Sequence, residues 1–225
     1  MGNQLERIRR AYDLTVEEYD KDRDPFDKLP AEFRRSTEFT TFLDSCKDCN
    51  SGCRDIKLWL SPQPGMRFLD AGCAAGLASY RLDRWPSTYY GVDISPGLIQ
   101  AMKGFVSREG ISVGGLYVAD IADTPFADDF FDIAAVIGVF EYHGLTYIRK
   151  ALAELKRILK PGARIVMDIP NQEHLHNTVM VELESLLGRP HVPFSRSSFE
   201  DLLKPLFDID DIDDAKVMIK YFARA

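Results

Sequence analysis

Hydrophobic and polar positions divide the chain into two parts near residue 60. Before that point, apolar residues recur at helical spacing in two segments, "QLERIRRAYDLTVEEYDKD" and "AEFRRSTEFTTFLDSC". From residue 66 onward, short β-rich runs alternate with helical ones, beginning with "MRFLDA" and ending with "ARIVMDIP". The first of the helical runs is "ASYRLDRW". Such alternation is typical of βαβ units around a mostly parallel sheet. We therefore predict an α/β core preceded by helices that form a cap or lid.

The last part of the chain departs from this alternation. Pro161 and Gly162 follow a basic helical run and predict that the helix stops before the fifth strand. Residues 172–195 are too many for a plain connection and are apolar along one helical face, which predicts an inserted helical cover over a site. "FSRSSFEDLLKPLF" then predicts a serine-capped helix, and two strand-like pieces around Asp213 and Asp214 predict a closing antiparallel hairpin.

Size and charge limit the kinds of partner. The 225 residues, 45% of them hydrophobic, suit one sizeable domain, with residues 1–60 as its helical cap and 61–225 as its core. The net charge of −7 disfavours attraction to nucleic acid or to an anionic membrane surface. No stretch approaches the roughly 20 apolar residues of a membrane span, and the first residues lack the apolar segment of a secretory signal. We expect a cytoplasmic protein without nucleic-acid or membrane partners.

The stretch "FLDAGCAAG", residues 68–76, carries the first candidate chemistry. The first predicted strand ends at Asp70, and Gly72, Ala74 and Gly76 have almost no side chain, so the backbone can bend sharply and approach a ligand closely. The G-x-A-x-G spacing differs from the G-x-G-x-x-G of dinucleotide enzymes and lacks the lysine of a P-loop. An adenosine-containing ligand therefore suits the loop better than a diphosphate.

Two further aspartates follow the next two predicted strands. Asp93, about twenty residues after the loop, could accept hydrogen bonds from both ribose hydroxyls. Asp120 could accept from an exocyclic adenine amine, with the N–H of Ile121 directed at the ring. Taken singly, each aspartate fits a helix N-cap or a turn equally well, and the combination is more specific than any member.

Four motifs in order make residues 66–170 resemble the core of class I S-adenosylmethionine-dependent methyltransferases of the small-molecule type 11 family. They are "FLDAGCAAG", "GVDIS", "ADIADTPFADDFFDIAAVIGVFEYH" and "ALAELKRILKPGARIVMDIPN". The resemblance implies a Rossmann-like, doubly wound, mostly parallel seven-stranded sheet with a C-terminal antiparallel hairpin. It also implies methyl transfer from S-adenosylmethionine to an O, N or C atom of a small-molecule acceptor, with S-adenosylhomocysteine as the second product.

The resemblance also assigns residues to the cofactor. Gly72–Gly76 would lie along its methionine part, Ile94 would pack on the adenine, and the Gly138 carbonyl would face its amine. Ala74 replaces a glycine that the family commonly carries, and its methyl group is expected to fit only with a φ below zero. The expected cofactor-binding residues are Tyr12, Tyr19, Asp70, Gly72, Cys73, Ala74, Gly76, Asp93, Ile94, Asp120, Ile121 and Gly138.

"FEYHG", after the fourth predicted strand, supplies the candidate catalytic residues. His143 lies where such enzymes often present a polar residue to the acceptor, and an ordinary histidine pKa suits a general base. Glu141 and Tyr142 are candidates for the same reason. The alternative is a surface histidine near a helix start. Tyr12 and Tyr19 fit the core of a docked helix as well as they fit a cofactor cover.

Cysteines and histidines outside these motifs leave alternatives open. Cys46, Cys49 and Cys53 form C-x-x-C-x-x-x-C and could bind a soft metal, react as thiols or be incidental; since a zinc site needs a fourth ligand, no metal is predicted. The rival function is a non-catalytic protein of the same fold that binds the cofactor, or one linked to thiols or a metalloid such as arsenite. The cover carries three histidines that could border a small-molecule site or be solvated: His174, His176 and His191.

Overall fold

A computed structural model describes residues 2–19, 24–47 and 52–225. Over these residues four α-helices precede the sheet, and the three longer ones carry apolar residues at the helical spacing expected for a docked helix. Their bounds are α1 Gly2–Tyr19, α2 Ala31–Arg35, α3 Thr37–Lys47 and α4 Gly52–Leu60.

Strands and helices then alternate as the hydrophobic pattern predicts. The elements are β1 Arg67–Ala71, α5 Gly76–Tyr80, β2 Thr88–Asp93, α6 Pro96–Glu109, β3 Gly115–Val118, β4 Phe131–Val136, α7 Leu145–Ile158 and β5 Leu159–Pro170. They continue with α8 Asn177–Leu186, α9 Arg196–Leu203, β6 Asp208–Asp213 and β7 Met218–Arg224.

Within the described part of the chain these strands form a seven-stranded sheet in the order β3-β2-β1-β4-β5-β7-β6. The first five strands in this order run parallel, and β7 is antiparallel to both β5 and β6. The strand order reverses between β1 and β4, which is where open α/β sheets bind ligands. The predicted fold class, including the C-terminal antiparallel hairpin, is confirmed.

Both faces of the sheet are covered by helices, and successive residues of β1 show this directly. Phe68 packs in a buried cluster with Leu60 of α4 and Ile99 of α6, whereas Leu69 packs in another with Leu152 of α7. Because strand side chains alternate between faces, consecutive apolar residues such as Phe68 and Leu69 are what a strand covered on both sides requires.

Two element boundaries differ from the sequence prediction. Helix α7 ends at Ile158, because Leu159 already pairs with Phe131 of β4, so Pro161 and Gly162 lie inside β5 rather than in a stop before it. Helix α5 is shorter than "ASYRLDRW" predicts, since it ends at Tyr80 and Leu82–Arg84 forms a 3₁₀ turn.

The cap and the cover pack on each other as well as on the core. Phe33 of α2 and Phe42 of α3 share a buried apolar cluster with Met180 and Leu183 of α8. The division into a cap of residues 1–60 and a core of residues 61–225 stays a prediction. Across the described residues, every helix is too short or too polar to cross a lipid bilayer.

Candidate functional site

Two neighbouring cavities lie at the carboxyl ends of β1 and β4, where the strand order reverses. The first cavity, of about 250 Å³, extends from the loop after β1 across the ends of β2, β3 and β4 and beneath α1. The second cavity, of about 310 Å³, extends from the same loop between α4, α5 and the sheet. Gly72, Ala74 and Ile137 line both, so they form the wall between the two spaces.

The first cavity collects most of the residues singled out from the sequence. Eight of the twelve expected cofactor residues line it: Tyr12, Gly72, Ala74, Asp93, Ile94, Asp120, Ile121 and Gly138. The candidate catalytic residues Glu141, Tyr142 and His143 line it too. Asp70, Cys73 and Gly76 line the second cavity instead. Tyr19 belongs to α1, but its side chain lies outside the described residues.

The loop after β1 is held by hydrogen bonds of its own main chain. The N–H groups of Gly72 and Cys73 donate to the carbonyl oxygen of Val92, at 2.8 and 2.9 Å, and the N–H of Ala74 donates to Oδ2 of Asp93 at 2.8 Å. The loop therefore offers a close backbone surface, and these amides do not point freely into the crevice as a small-residue loop suggests.

Ala74 adopts a φ of +37°, so the expectation that its methyl group requires a negative φ is wrong. The hydrogen bond from Ala74 to Asp93 ties the loop to the end of β2 in this left-handed conformation. For a residue with a Cβ, that conformation costs about 1 kcal/mol. Gly72, with φ +77°, leaves no room for a side chain, because an added Cβ would collide with Cγ2 of Val139.

Asp93 is a buried carboxylate that fixes the backbone around it. Its Oδ1 accepts from the N–H of Ser95 at 2.9 Å, and burial raises the pKa of its carboxyl group. Asp13 of α1 accepts from the Ser95 hydroxyl and, at 3.0 Å, from the N–H of Gly97 at the start of α6. This carboxylate at a helix N-terminus holds α1 over the first cavity.

Asp120, Tyr147 and His143 form a second polar group at the end of β3. The Tyr147 hydroxyl donates to Oδ1 of Asp120 at 2.6 Å, and the His143 ring stacks on the Tyr147 ring with centroids 3.8 Å apart. Burial lowers the pKa of His143 to about 4, against a smaller opposing effect of Asp120. His143 is therefore a neutral, buried side chain of the cavity wall rather than a surface histidine. Nothing in the sequence indicated that Tyr147 would belong to the site.

Two buried carboxyl groups flank Gly138, which follows β4. Oδ1 of Asp168 accepts from the N–H of Gly138 at 2.8 Å, while Glu141 lines the first cavity close to the Gly138 Cα. Burial raises the pKa of Glu141, and the nearby Asp168 carboxylate raises it further. Oε2 of Glu141 is buried without a hydrogen-bond partner in the described part of the chain. Such an atom suits a ligand that carries positive charge or a donor.

A partly buried polar network joins α1, the turn after β4 and the cover. Tyr12 and Tyr142 hydroxyls lie 3.0 Å apart, and Tyr142 donates to Oε2 of Glu184 at 2.9 Å. Arg189 pairs with Glu184 at 3.2 Å and places its guanidinium 4.4 Å from the centroid of the Tyr12 ring. Glu184 and Arg189 were missed by sequence reasoning because nothing local to them indicates partners so distant in the chain.

The cover histidines lie away from both cavities. His176 is buried and packs edge-on against Phe42, and the His174 ring lies 5.3 Å from it, so His176 is not solvated. Among the candidate thiols, Cys49 lies outside the described residues, as do the side chains of Cys46 and Cys53. Over the residues that the structure covers, His, Cys, Asp and Glu side chains form no group of three or more suited to a metal ion.

A doubly wound sheet with a small-residue loop and acidic strand ends at its switch point defines a nucleotide-binding α/β domain. Residues 69–167 match the family model described as a methyltransferase domain. These residues therefore form a methyltransferase domain of that family, and the family assignment made from the sequence is confirmed.

Named relatives agree with this assignment. The chain is 32% identical over 136 residues to a 2-phytyl-1,4-naphtoquinone methyltransferase of Trichormus variabilis. The aligned region covers 57% of this chain and 58% of that protein. It is 28% identical over 171 residues to the ubiquinone/menaquinone biosynthesis C-methyltransferase UbiE of Paracoccus denitrificans, covering 72% of this chain and 67% of that one. The chain thus spans about three fifths of the length of these relatives.

Solved structures share the fold. A geranyl diphosphate C-methyltransferase from Streptomyces coelicolor has a TM-score of 0.68 at 16% identity, covering 98% of this chain and 97% of that one. The PH0226 protein from Pyrococcus horikoshii has a TM-score of 0.65 at 16% identity, covering 88% of this chain and 97% of that one.

Proposed function

We propose that the protein is a methyltransferase that binds S-adenosylmethionine in the first cavity and methylates an O, N or C atom of a small molecule. The observation that carries this proposal is the convergence of eight expected cofactor residues on one cavity at the switch point of the sheet. The names of the relatives, which are quinone and O-methyltransferases, support the same reaction class.

The cavity fits the cofactor in two respects. Because Gly72 has no side chain, the loop packs closely against Val139. Its exposed backbone leaves space for the extended methionine part of the cofactor. The buried, unpartnered Oε2 of Glu141 suits the positive charge of the ligand. In the proposed arrangement Asp93 holds the ribose, Asp120 and Ile121 contact the adenine edge, and Ile94 packs on the ring.

S-adenosylmethionine, when bound, supplies a methyl group on a positively charged sulfur. The chain's task is to align the acceptor and exclude water, because a displacement at carbon depends strongly on geometry. An acceptor that carries a proton would have to pass it to a group of the protein. Tyr12 and Tyr142 help to close the cavity through the network with Glu184.

Among the candidate catalytic residues, Glu141 suits proton transfer better than His143. A histidine whose pKa lies near 4 holds a proton weakly, so it is a poor proton acceptor at neutral pH. Burial raises the pKa of Glu141, so once a cationic ligand has displaced its proton, the remaining carboxylate is the stronger base of the two. We assign the proton-accepting role to Glu141 and a positioning role beside Tyr147 to His143.

Calorimetry with S-adenosylmethionine tests the proposal. Wild-type protein is expected to bind, and Asp93→Ala is expected to weaken binding at least tenfold, while Asp201→Ala, an exposed aspartate on α9, serves as the matched control. Absence of binding by the wild type would overturn the proposal. Transfer of a labelled methyl group to a panel of small molecules then separates an enzyme from a binding protein.

A further inference from the structure

The cap and the cover leave an open groove between them, which we call the cap–cover groove. It has a volume of about 460 Å³ and lies between α2 and α3 on one side and α8 on the other. Phe33 of α2 and Val179 of α8 give it an apolar base. Leu175, just before α8, is 79% exposed, and Leu186, at the end of α8, is 41% exposed. Exposed leucines at both ends of a groove favour its use as a contact surface for another chain.

The rim of the cap–cover groove is acidic. Three exposed glutamates line it without an ion-pair partner among the described residues: Glu32, Glu38 and Glu182. Within the same part of the chain, no lysine or arginine lines the groove. The basic residues of α2 leave this balance unchanged, because Arg34 pairs with Asp27 at 3.3 Å and Arg35 lies outside the lining. The groove therefore favours a positively charged occupant.

A buried histidine indicates an occupant independently of the charge. His176 is 9% exposed and lines the cap–cover groove. Its ring contacts the rings of Phe42 and His174, but its nitrogens make no side-chain hydrogen bond across the residues that the structure describes. A buried imidazole without such a partner suits an occupant that brings an N–H donor. The expected occupant is thus partly apolar, cationic and rich in donors.

The outer face of α1 has these properties. Three of its exposed residues form one stripe along the helix, because they are three and four positions apart: Arg7, Arg10 and Leu14. Neither arginine has an ion-pair partner in the described ranges, whereas Glu6 is paired with Arg9 at 2.6 Å and Glu17 lies beyond the stripe. The stripe is about 10 Å long and the ten-residue α8 about 15 Å, so the stripe fits the length of the groove.

We propose that the cap–cover groove binds α1 of a second copy of this chain, with the two arginines of the stripe facing the glutamates and Leu14 facing the apolar base. Groove and helix adjoin in one molecule, since Glu18 of α1 pairs with Lys28 at 3.2 Å, two residues before Pro30 of the groove. Adjoining surfaces can be exchanged reciprocally about a two-fold axis, which gives a closed dimer with two identical contacts. The opposite face of α1 lines the first cavity, so the contact supports that helix from outside.

Sedimentation equilibrium across the micromolar range tests the contact by charge reversal. Wild type is expected to form a dimer that weakens as the salt concentration rises. Two double variants, Arg7→Glu with Arg10→Glu and Glu38→Arg with Glu182→Arg, should each weaken dimerisation at least tenfold, because like charges then face each other. An equal mixture of the two should dimerise as the wild type does, since the acidic helix meets the basic groove and the basic helix meets the acidic groove.

Matched controls separate the proposed contact from general effects of charge and hydrophobicity. Asp201→Arg with Asp208→Arg, on α9 and β6, changes the net charge as much as the groove reversal and should dimerise within twofold of wild type. Leu14→Asn should weaken dimerisation at least tenfold, whereas Leu58→Asn, at a 70% exposed position of α4, should not. Urea unfolding checks that each variant folds.

Three results would each overturn the inference. They are a wild type that stays monomeric, a dimer that both charge reversals leave unchanged, and a mixture of the two reversed variants that stays monomeric. This inference is independent of the proposed function, because the oligomeric state is measured without cofactor or acceptor. The proposed function fails separately, through absent S-adenosylmethionine binding.

Discussion

The main-chain N–H of Ala74 donates a hydrogen bond to Oδ2 of Asp93 across 2.8 Å, while Ala74 holds a φ of +37°. One contact thus fixes the loop after β1 against the end of β2 and keeps a non-glycine residue in a conformation that glycine adopts at little cost. The hydrogen bond therefore couples the position of Asp93, the proposed ribose ligand, to the conformation of the loop proposed to bind the methionine part of the cofactor.

Ala74→Gly is expected to stabilise the protein by about 0.5 kcal/mol, because relief of the left-handed strain exceeds the added freedom of the unfolded chain. S-adenosylmethionine affinity should be equal to or greater than that of the wild type. Ala75→Gly, at a φ of −99°, is the control and should lose about 0.5–1 kcal/mol. Urea unfolding and calorimetry measure both quantities. A clear loss of stability or affinity in Ala74→Gly would contradict the assigned loop geometry.

Glu141→Gln is expected to weaken S-adenosylmethionine binding about tenfold or more, because the unpartnered carboxyl group would lose its charge. In the free wild type, burial holds the pKa of Glu141 above its ordinary value, so a cationic ligand should expel a proton. Calorimetry in buffers of different ionisation enthalpy detects that proton, and Glu141→Gln should release less of it. Glu173→Gln, exposed before α8, is the control. Identical proton release by wild type and Glu141→Gln would exclude this role.

His143→Phe is expected to change how stability depends on pH while keeping a ring stacked on Tyr147. Burial lowers the pKa of His143 from 6.5 to about 4, so between these values the unfolded state binds more protons and wild-type stability falls as the pH falls. From pH 7.5 to pH 5, His143 should lower the free energy of unfolding of the wild type by about 2 kcal/mol. His143→Phe should not show this loss. Urea unfolding at both pH values measures the difference; parallel profiles would mean that His143 titrates normally.

Tyr12→Phe and Tyr142→Phe test whether the tyrosine network keeps α1 over the first cavity. Their hydroxyls are 3.0 Å apart, so each variant should lose about 1 kcal/mol of stability. The double variant should lose less than the sum of the two, since both changes remove the same hydrogen bond. Dissociation of S-adenosylmethionine, followed by stopped flow, should quicken several-fold in each. If the losses of stability are additive and the rate of S-adenosylmethionine dissociation is unchanged, the network has no role in binding.

Residues at strand ends could be predicted because topology brings them together. Asp93 and Asp120 follow parallel neighbours, and the carboxyl ends of such strands meet at one edge of the sheet whatever the loops do. Gly72 and Gly138 follow the same rule, since each comes after a strand beside the switch point. The first cavity therefore contains most of the residues expected from sequence motifs alone.

Features that depend on distant packing could not be predicted. The φ of Ala74 depends on a carboxylate nineteen residues away, and β5 begins at Leu159 because Phe131 pairs there. The contact between Tyr12 and Tyr142 joins residues 130 positions apart, with no periodicity to indicate it. The left-handed φ of Arg81 ends α5 in a segment whose apolar spacing predicts continued helix.

Helices α2 and α3 and the cover helix α8 share one apolar cluster, although they are distant in sequence. These two stretches of sequence must therefore be exchanged as one unit when the protein is recombined with another. Both stretches lie outside residues 69–167, the part that matches the methyltransferase domain. A chimera that imports only another protein's cover would leave Phe33 and Phe42 without their apolar partners. A chimera that exchanges the cover therefore requires that both stretches move together.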